Sequence, residues 1–172
     1  INKISIEMPQ EIFLRTNPKT GKPLETQEWR LNDSEIPIIC HDLGTHLYHL
    51  TKFLTNKKPL RTAGKFSNYS NHENLVDDIL MWVEFEDDII ADFWMSKSAL
   101  GHRNGLKIRI YGSLGSAEWV QNNPEYLILN YRNGDKIIID RASNSNILGE
   151  KRYNRYKAGH PSGFLEAFAN LY

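Results

Sequence analysis

The sequence predicts an α+β domain, one open and mostly antiparallel β-sheet with helices packed on a single face. Three observations predict it. β-Branched and aromatic runs follow one another between residues 75 and 139, as strands do. Their connections are too short for the crossovers that parallel neighbours need. One stretch with a 3.6-residue apolar period precedes them. With 172 residues, the chain is long enough for a single domain that removes roughly 70% of its unfolded surface from water, and too short for two full-sized domains.

In chain order, residues 4–6 alternate Ile, Ser, Ile and read as a half-buried strand. Residues 15–33 carry Asn17-Pro18, Thr20-Gly21 and Lys22-Pro23, with Trp29 as the one aromatic anchor, and predict a long irregular connection. Loops of that length inside compact domains are often functional. Over 39–54, Leu43, Leu47, Leu50 and Leu54 recur at spacings of four, three and four between Pro37 and Pro59, which predicts a helix with one apolar face. Strands are then expected at 75–85, 89–95, 106–111, 117–120, 126–131 and 136–139. Turn residues separate them: Glu86-Asp87-Asp88, the stretch 101–105, Gly112 to Gly115, and Asn133-Gly134. Asn-Gly favours a two-residue type I′ hairpin, because both central positions of that turn need φ > 0. Residues 142–156 are polar and Asn/Ser-rich and predict an excursion. Ser162 is placed to cap a closing helix over 163–172, with Glu166 in its first turn. Val83, Phe85, Phe93, Met95, Trp94 and Trp82 put apolar side chains on both sides of their strands, so the second sheet face is expected to be covered too, by another subunit or domain.

Lys plus Arg and Asp plus Glu each number 21, a formal net charge of +0. No whole-chain attraction to nucleic acid or to a membrane surface follows, and neither is expected as a partner. No apolar stretch reaches the ~18–20 residues that span a bilayer, and the N-terminus lacks signal-peptide anatomy. The single cysteine, Cys40, makes neither an internal disulfide nor a CxxC site, which points to a cytoplasmic protein. The sequons at Asn32 and Asn68 carry little weight without an export signal. The chain starts at Ile1 inside a strand pattern and stops in a helix pattern without a C-cap, as a piece of a longer polypeptide would.

The densest titratable cluster runs from Cys40 to His49. Asp42 and His46 stand four residues apart and rise from one helix face. A carboxylate beside an imidazole raises its pKa and selects its tautomer, which suits general acid/base work. Gly44, a poor helix former, lies between them, where a close approach by a ligand or another backbone is expected. An N-terminal Asp favouring the helix dipole, with an incidental histidine, would look the same. Asp42, His46 and His49 could share a face as metal ligands, but no second cluster supplies more, and no metal site is expected. The loop 96–105 is dense in donors and could hold a polyhydroxylated or anionic ligand. There is no GxGxxG or Walker motif and no nucleophile elbow.

Taken together, several stretches resemble one family. These are Asp42-Leu43-Gly44-Thr45-His46, Trp29-Arg30-Leu31 before it, residues 105–119 and 123–127 after it, and the closing segment 159–170 (GHPSGFLEAFAN). In their order, nearly the whole chain resembles the C-terminal domain of the glucose-fructose oxidoreductase / inositol dehydrogenase (Gfo/Idh/MocA) family. The resemblance implies an α/β domain with a large open sheet that often builds an oligomer, joined to an N-terminal Rossmann domain absent from this chain. That domain would bind NAD or NADP. The implied reaction is hydride transfer at a carbinol carbon of a sugar, cyclitol or related polyol. The resemblance makes His46 the general acid/base and Asp42 its orienting partner. It makes His102 a substrate-lining residue, with Arg30, Lys97 and His160 as further substrate contacts. The family's third catalytic group, a lysine in a Glu-Lys-Pro motif, belongs to the Rossmann domain, and Lys22-Pro23 does not take its place. The chain alone is therefore expected to show no turnover and no tight NAD(P) binding. The alternative is a non-catalytic sugar-binding or oligomerising module of the same fold.

Overall fold

Ile4, Ile6 and Met8 alternate inward along the first strand, β1 (Lys3–Pro9), and lie at the centre of the core. The computed structural model describes residues 1–140. The expected excursion over 142–156, the helix over 163–172, Ser162 and His160 lie outside them.

Beyond β1 the strands are β2 (Pro59–Ser67), β3 (Asp78–Phe85), β4 (Ile89–Ser96), β5 (Lys107–Tyr111), β6 (Gly115–Val120), β7 (Tyr126–Tyr131) and β8 (Lys136–Asp140). They form one open sheet in the order β2-β3-β4-β1-β5-β6-β7-β8. Every neighbouring pair is antiparallel except the central one, β1 with β4, where Ile4 lies against Ala91 and Met8 against Met95. A parallel pair needs a long crossover. Here the irregular connection, the helix and the β2–β3 hairpin together provide it.

The leucine-spaced segment is helical where expected, but it is not one uniform α-helix. Cys40–Gly44 forms a π-helical turn, in which the Thr45 N–H donates to the Cys40 carbonyl, and α1 follows over Thr45–Thr55. α1 stops at Asn56, which takes the left-handed conformation (φ 53°) and donates its N–H to the Lys52 carbonyl at 2.7 Å. Leu43 and Leu47 are buried, with Leu50 and Leu54 packed beside them. They cover one sheet face, formed by Ile4, Ile6, Ile79, Val83, Phe85, Ile89, Ala91, Phe93, Met95 and Ile108. Thr51 is fully buried, and its hydroxyl donates to the Leu47 carbonyl at 2.9 Å, so burial leaves no unpaired donor.

The opposite face carries the alternate residues. Leu80 and Trp82 are 58% and 39% exposed there, among cross-strand ion pairs Lys3–Asp92 at 2.8 Å, Arg61–Glu84 at 2.6 Å, Lys107–Glu118 at 3.2 Å and Glu7–Arg109. Val83, Phe85, Phe93 and Met95 all face the helix, so the apolar character of the second face rests on other residues.

Two local features differ from expectation. β2 carries no β-branched run, its Arg61, Gly64 and Lys65 lying between an exposed Leu60 and Phe66, and it is exposed over nearly its whole length. It is a sheet edge, where proline and basic residues blunt unwanted pairing, so its pattern does not read as a strand. In the β7–β8 hairpin, only Gly134 of the Asn-Gly pair has positive φ (93°). The turn is therefore not type I′. Gly134 donates to the Tyr131 carbonyl at 3.0 Å and Tyr131 to Asp135 at 2.8 Å, which makes a longer loop closed by the glycine.

Among the described residues no helix is long and apolar enough to cross a membrane.

Candidate active site

The π-helical turn carries Asp42 to the C-terminal ends of β1 and β4. A π-turn arises where one extra residue is fitted into a helix, and such turns are frequent at functional sites. Here it packs closely on the sheet: a Cβ at Gly44 would stand 3.2 Å from the Met95 sulfur. The small residue between Asp42 and His46 thus answers to a sheet side chain beneath the helix. Upstream, Asp33 anchors the turn. Its Oδ1 accepts from the Ile38 N–H and its Oδ2 from the Val76 N–H, both at 2.7 Å, tying the long connection to the lead-in of β3.

Two cations meet Asp42, and both meet the same oxygen. The Lys97 ammonium donates to Oδ2, and the Arg30 Nε stands 3.3 Å from it. The arginine contact attracts as a charge but lacks hydrogen-bond geometry, since Nε is buried without a hydrogen-bond partner. Arg30 sits on a short 3-10 turn, Glu28–Leu31, inside the long connection, and its guanidinium lies over the Trp29 ring at 4.7 Å. Lys97 follows β4 directly. Its side chain is only 2% exposed and donates also to Gln10 Oε1 at 2.9 Å. Burial is the largest influence on it and pushes its pKa below the ordinary lysine value; the hydrogen bond and charge of Asp42 oppose that, and Arg30 reinforces it.

His46 stands on the first turn of α1 and is exposed. No hydrogen bond joins it to Asp42 among the described residues. Catalytic hydrogen bonds are often unformed before substrate arrives. His102 lies elsewhere. It is exposed in the β4–β5 loop and meets the Trp94 ring edge-on, with centroids 6.5 Å apart. Trp94 alternates with Phe93 and Met95, so this contact belongs to the sheet face away from α1. The structure therefore brings Asp42, Arg30 and Lys97 together, and among the described residues no contact joins His102 to them, although Asn104 of the same loop accepts from Gln10. His160 lies outside the described residues. Among those residues, no group of three His, Cys, Asp or Glu has the geometry to hold a metal, so Asp42, His46 and His49 do not assemble into one. The Cys40 thiol is pushed up by burial and by the Asp33 charge, which keeps it protonated and a poor nucleophile.

Gln10 has no signal in the sequence. It reaches the site only because β1 ends beside β4.

The family model of the GFO/IDH/MocA C-terminal domain matches residues 11–118. The chain belongs to that family. The match covers the Asp42–His46 element, Arg30 and Lys97. Among curated proteins, the GFO/IDH/MocA chain is 25% identical over 157 residues to the uncharacterized oxidoreductase YfiI of Bacillus subtilis, covering 85% of this chain and 38% of that protein. Among solved structures, it is similar to an oxidoreductase from Sinorhizobium meliloti at 26% identity and a TM-score of 0.67, covering 99% of this chain and 44% of that one. An inositol dehydrogenase homolog from Azotobacter vinelandii, complexed with NADH and myo-inositol, shares the fold at a TM-score of 0.74 and 22% identity, covering 99% and 43%. The open, mostly antiparallel sheet is the architecture of this domain type. The chain spans less than half the length of each of these relatives.

Proposed function

We propose that this chain is the substrate-side domain of an NAD(P)-dependent oxidoreductase acting on a sugar, cyclitol or related polyol by hydride transfer. One observation carries the reading: Asp42, loaded on a single oxygen by Lys97 and Arg30, lies one turn before an exposed imidazole, His46. Oδ2 is occupied by cations. Oδ1 accepts no hydrogen bond among the described residues and is the oxygen left for an imidazole N–H. In this reading Asp42 selects the tautomer of His46 and stabilises the imidazolium that forms. His46 accepts the hydroxyl proton as the carbinol becomes a carbonyl, and returns it in the reverse direction.

The Gly112–Gly115 turn joins two antiparallel strands, so it offers no glycine-rich start of a helix to cradle a pyrophosphate. NAD or NADP would be held by a domain outside this chain and, when bound, supplies the hydride acceptor or donor. The relative bound to NADH and myo-inositol supports the reading by analogy of fold. A second copy of the chain is proposed on the open sheet face, supported by the exposure of Leu80 and Trp82, and a cytoplasmic setting fits the lone cysteine.

The test uses the full-length polypeptide that contains this chain, with NAD and NADP and a panel of inositols and sugars, followed by reduced-nicotinamide absorbance. Turnover is expected with at least one polyol, and His46→Ala should lower kcat by about 10²–10⁴-fold. A wild-type protein inactive on the whole panel, or a His46→Ala variant with full kcat, overturns the reading.

A further inference from the structure

Lys97 is more tightly held than a residue that meets a ligand needs to be. Its N–H donates to the Asp77 carbonyl at 2.7 Å, and its own carbonyl accepts from Phe13 at 3.0 Å, so its backbone is pinned on both sides. Its side chain is closed from solvent, and its ammonium is engaged by Asp42 and Gln10. Gln10 is pinned in turn. Its N–H donates to the Ser96 carbonyl at 2.7 Å, its carbonyl accepts from Ala99 at 2.9 Å, and its Nε2 donates to Asn104 Oδ1 at 3.3 Å. With the amide nitrogen turned to Asn104, the amide oxygen faces Lys97. The ammonium has one place to be, and that place is against Asp42 Oδ2.

Such an arrangement is costly. An apolar side chain of similar length packs in a buried position without the penalty of desolvating an ammonium, and buried ion pairs are weak contributors to stability. Arg30 already provides Asp42 with a counter-charge, yet it is more exposed and its Nε makes no hydrogen bond. It neutralises without orienting. What Lys97 adds is direction: a hydrogen bond to one chosen oxygen, from a donor that cannot move.

We propose that Lys97 is a positioning residue of the hydride-transfer site: it fixes the Asp42 carboxylate in the one orientation that leaves Oδ1 for His46. The role rests on the reading of Asp42 and His46 given above. It differs from a substrate contact, because a side chain 2% exposed presents nothing to a substrate. Lys97 acts through Asp42, and Gln10 acts through Lys97.

The experiment is a double-mutant cycle in the full-length polypeptide, with Lys97→Met, Asp42→Asn and the pair, read by steady-state kinetics on the active polyol. Lys97→Met should lower kcat roughly ten- to a hundredfold while KM for the polyol stays within about threefold. In the Asp42→Asn background it should change kcat by less than about twofold, because residues that act as a unit are non-additive. A rise in KM with kcat unchanged makes Lys97 a substrate contact and overturns the proposal. So does a full multiplicative loss in the double variant. Gln10→Leu, a milder change should Lys97→Met fold poorly, is expected to lower kcat less and with the same non-additivity; an additive loss counts against the proposal. A second readout separates this inference from the reading beneath it. If the wild-type protein turns over no polyol, that reading has failed, and the pairing is judged by thermal melts alone. A double variant melting well above the sum of the two single losses supports the clamp on Asp42. Additive losses overturn it.

Discussion

Lys97, at the end of β4, donates to the carboxylate of Asp42, which lies 55 residues away in the chain on the π-helical turn. The two partners differ in exposure, 2% for the lysine side chain and 15% for the aspartate. That difference makes the consequences of removing either one unequal.

Asp42→Asn leaves a buried ammonium with only a neutral acceptor and is expected to destabilise by roughly 3–5 kcal/mol, as breaking a buried pair from one side does. Lys97→Met leaves a carboxylate that keeps Arg30 and some contact with water, and should cost about 1.5–3 kcal/mol, the worth of a charged hydrogen bond. Urea unfolding of both full-length variants measures the order. The reverse order would place the desolvation cost on the aspartate.

Lys97 also sets an alkaline pH dependence. Burial lowers its pKa from 10.5 in spite of Asp42, so between the lowered value and 10.5 the unfolded chain binds more protons than the folded one. Stability contributed at this position rises with pH through that window. The stability of wild type relative to Lys97→Met is therefore expected to increase as pH climbs toward 10.5. Lys3 and Lys57, raised by Asp92 and Asp87, act in the opposite direction but are present in both proteins and cancel in the difference. A relative stability that falls with pH would show that pairing with Asp42 outweighs burial.

Leu80 and Trp82, on neighbouring alternate positions of β3, face solvent on the side of the sheet away from α1. Leu80→Arg with Trp82→Glu is expected to leave the fold intact, since neither side chain contributes to the core, and to convert an oligomer into a monomer. Light scattering of the full-length protein decides it. A wild type that is monomeric at high concentration, or a double variant that stays oligomeric, removes this face as the interface.

Asp77 is fully buried beside β3 and holds the β2–β3 connection. Its Oδ1 accepts from the Tyr69 N–H at 2.9 Å and its Oδ2 from the Ser70 N–H at 2.7 Å. Asp77→Ala strips both amides of their acceptor and should cost roughly 2–4 kcal/mol. Asp77→Asn keeps one acceptor and should cost less. Hydrogen exchange at Tyr69 and Ser70 should accelerate more than at β4, and uniform acceleration would mean that Asp77 supports the whole sheet instead.

Much of this protein is determined by local pattern. β-Branched runs placed β3 to β8, the leucine spacing placed the helix on the sheet, and Asp42 with His46 stood out as a carboxylate and an imidazole on one helix face. Those signals are legible because burial imposes a period on neighbouring residues, and a period needs no knowledge of what lies opposite. Tertiary structure decided the rest. β2 is a strand only because β3 offers it an edge, and β1 is parallel to β4 only because the intervening chain crosses back over the sheet. Gln10, Arg30, Asp42 and Lys97 come from four separate stretches; the family resemblance pointed to the last three as site residues, but nothing in the sequence says that they meet at one carboxylate oxygen or that Gln10 joins them. Their meeting is a product of strand order. The sequence singles out the carboxylate proposed to serve the chemistry, but the pairing of β1 with β4 decides which cation meets it.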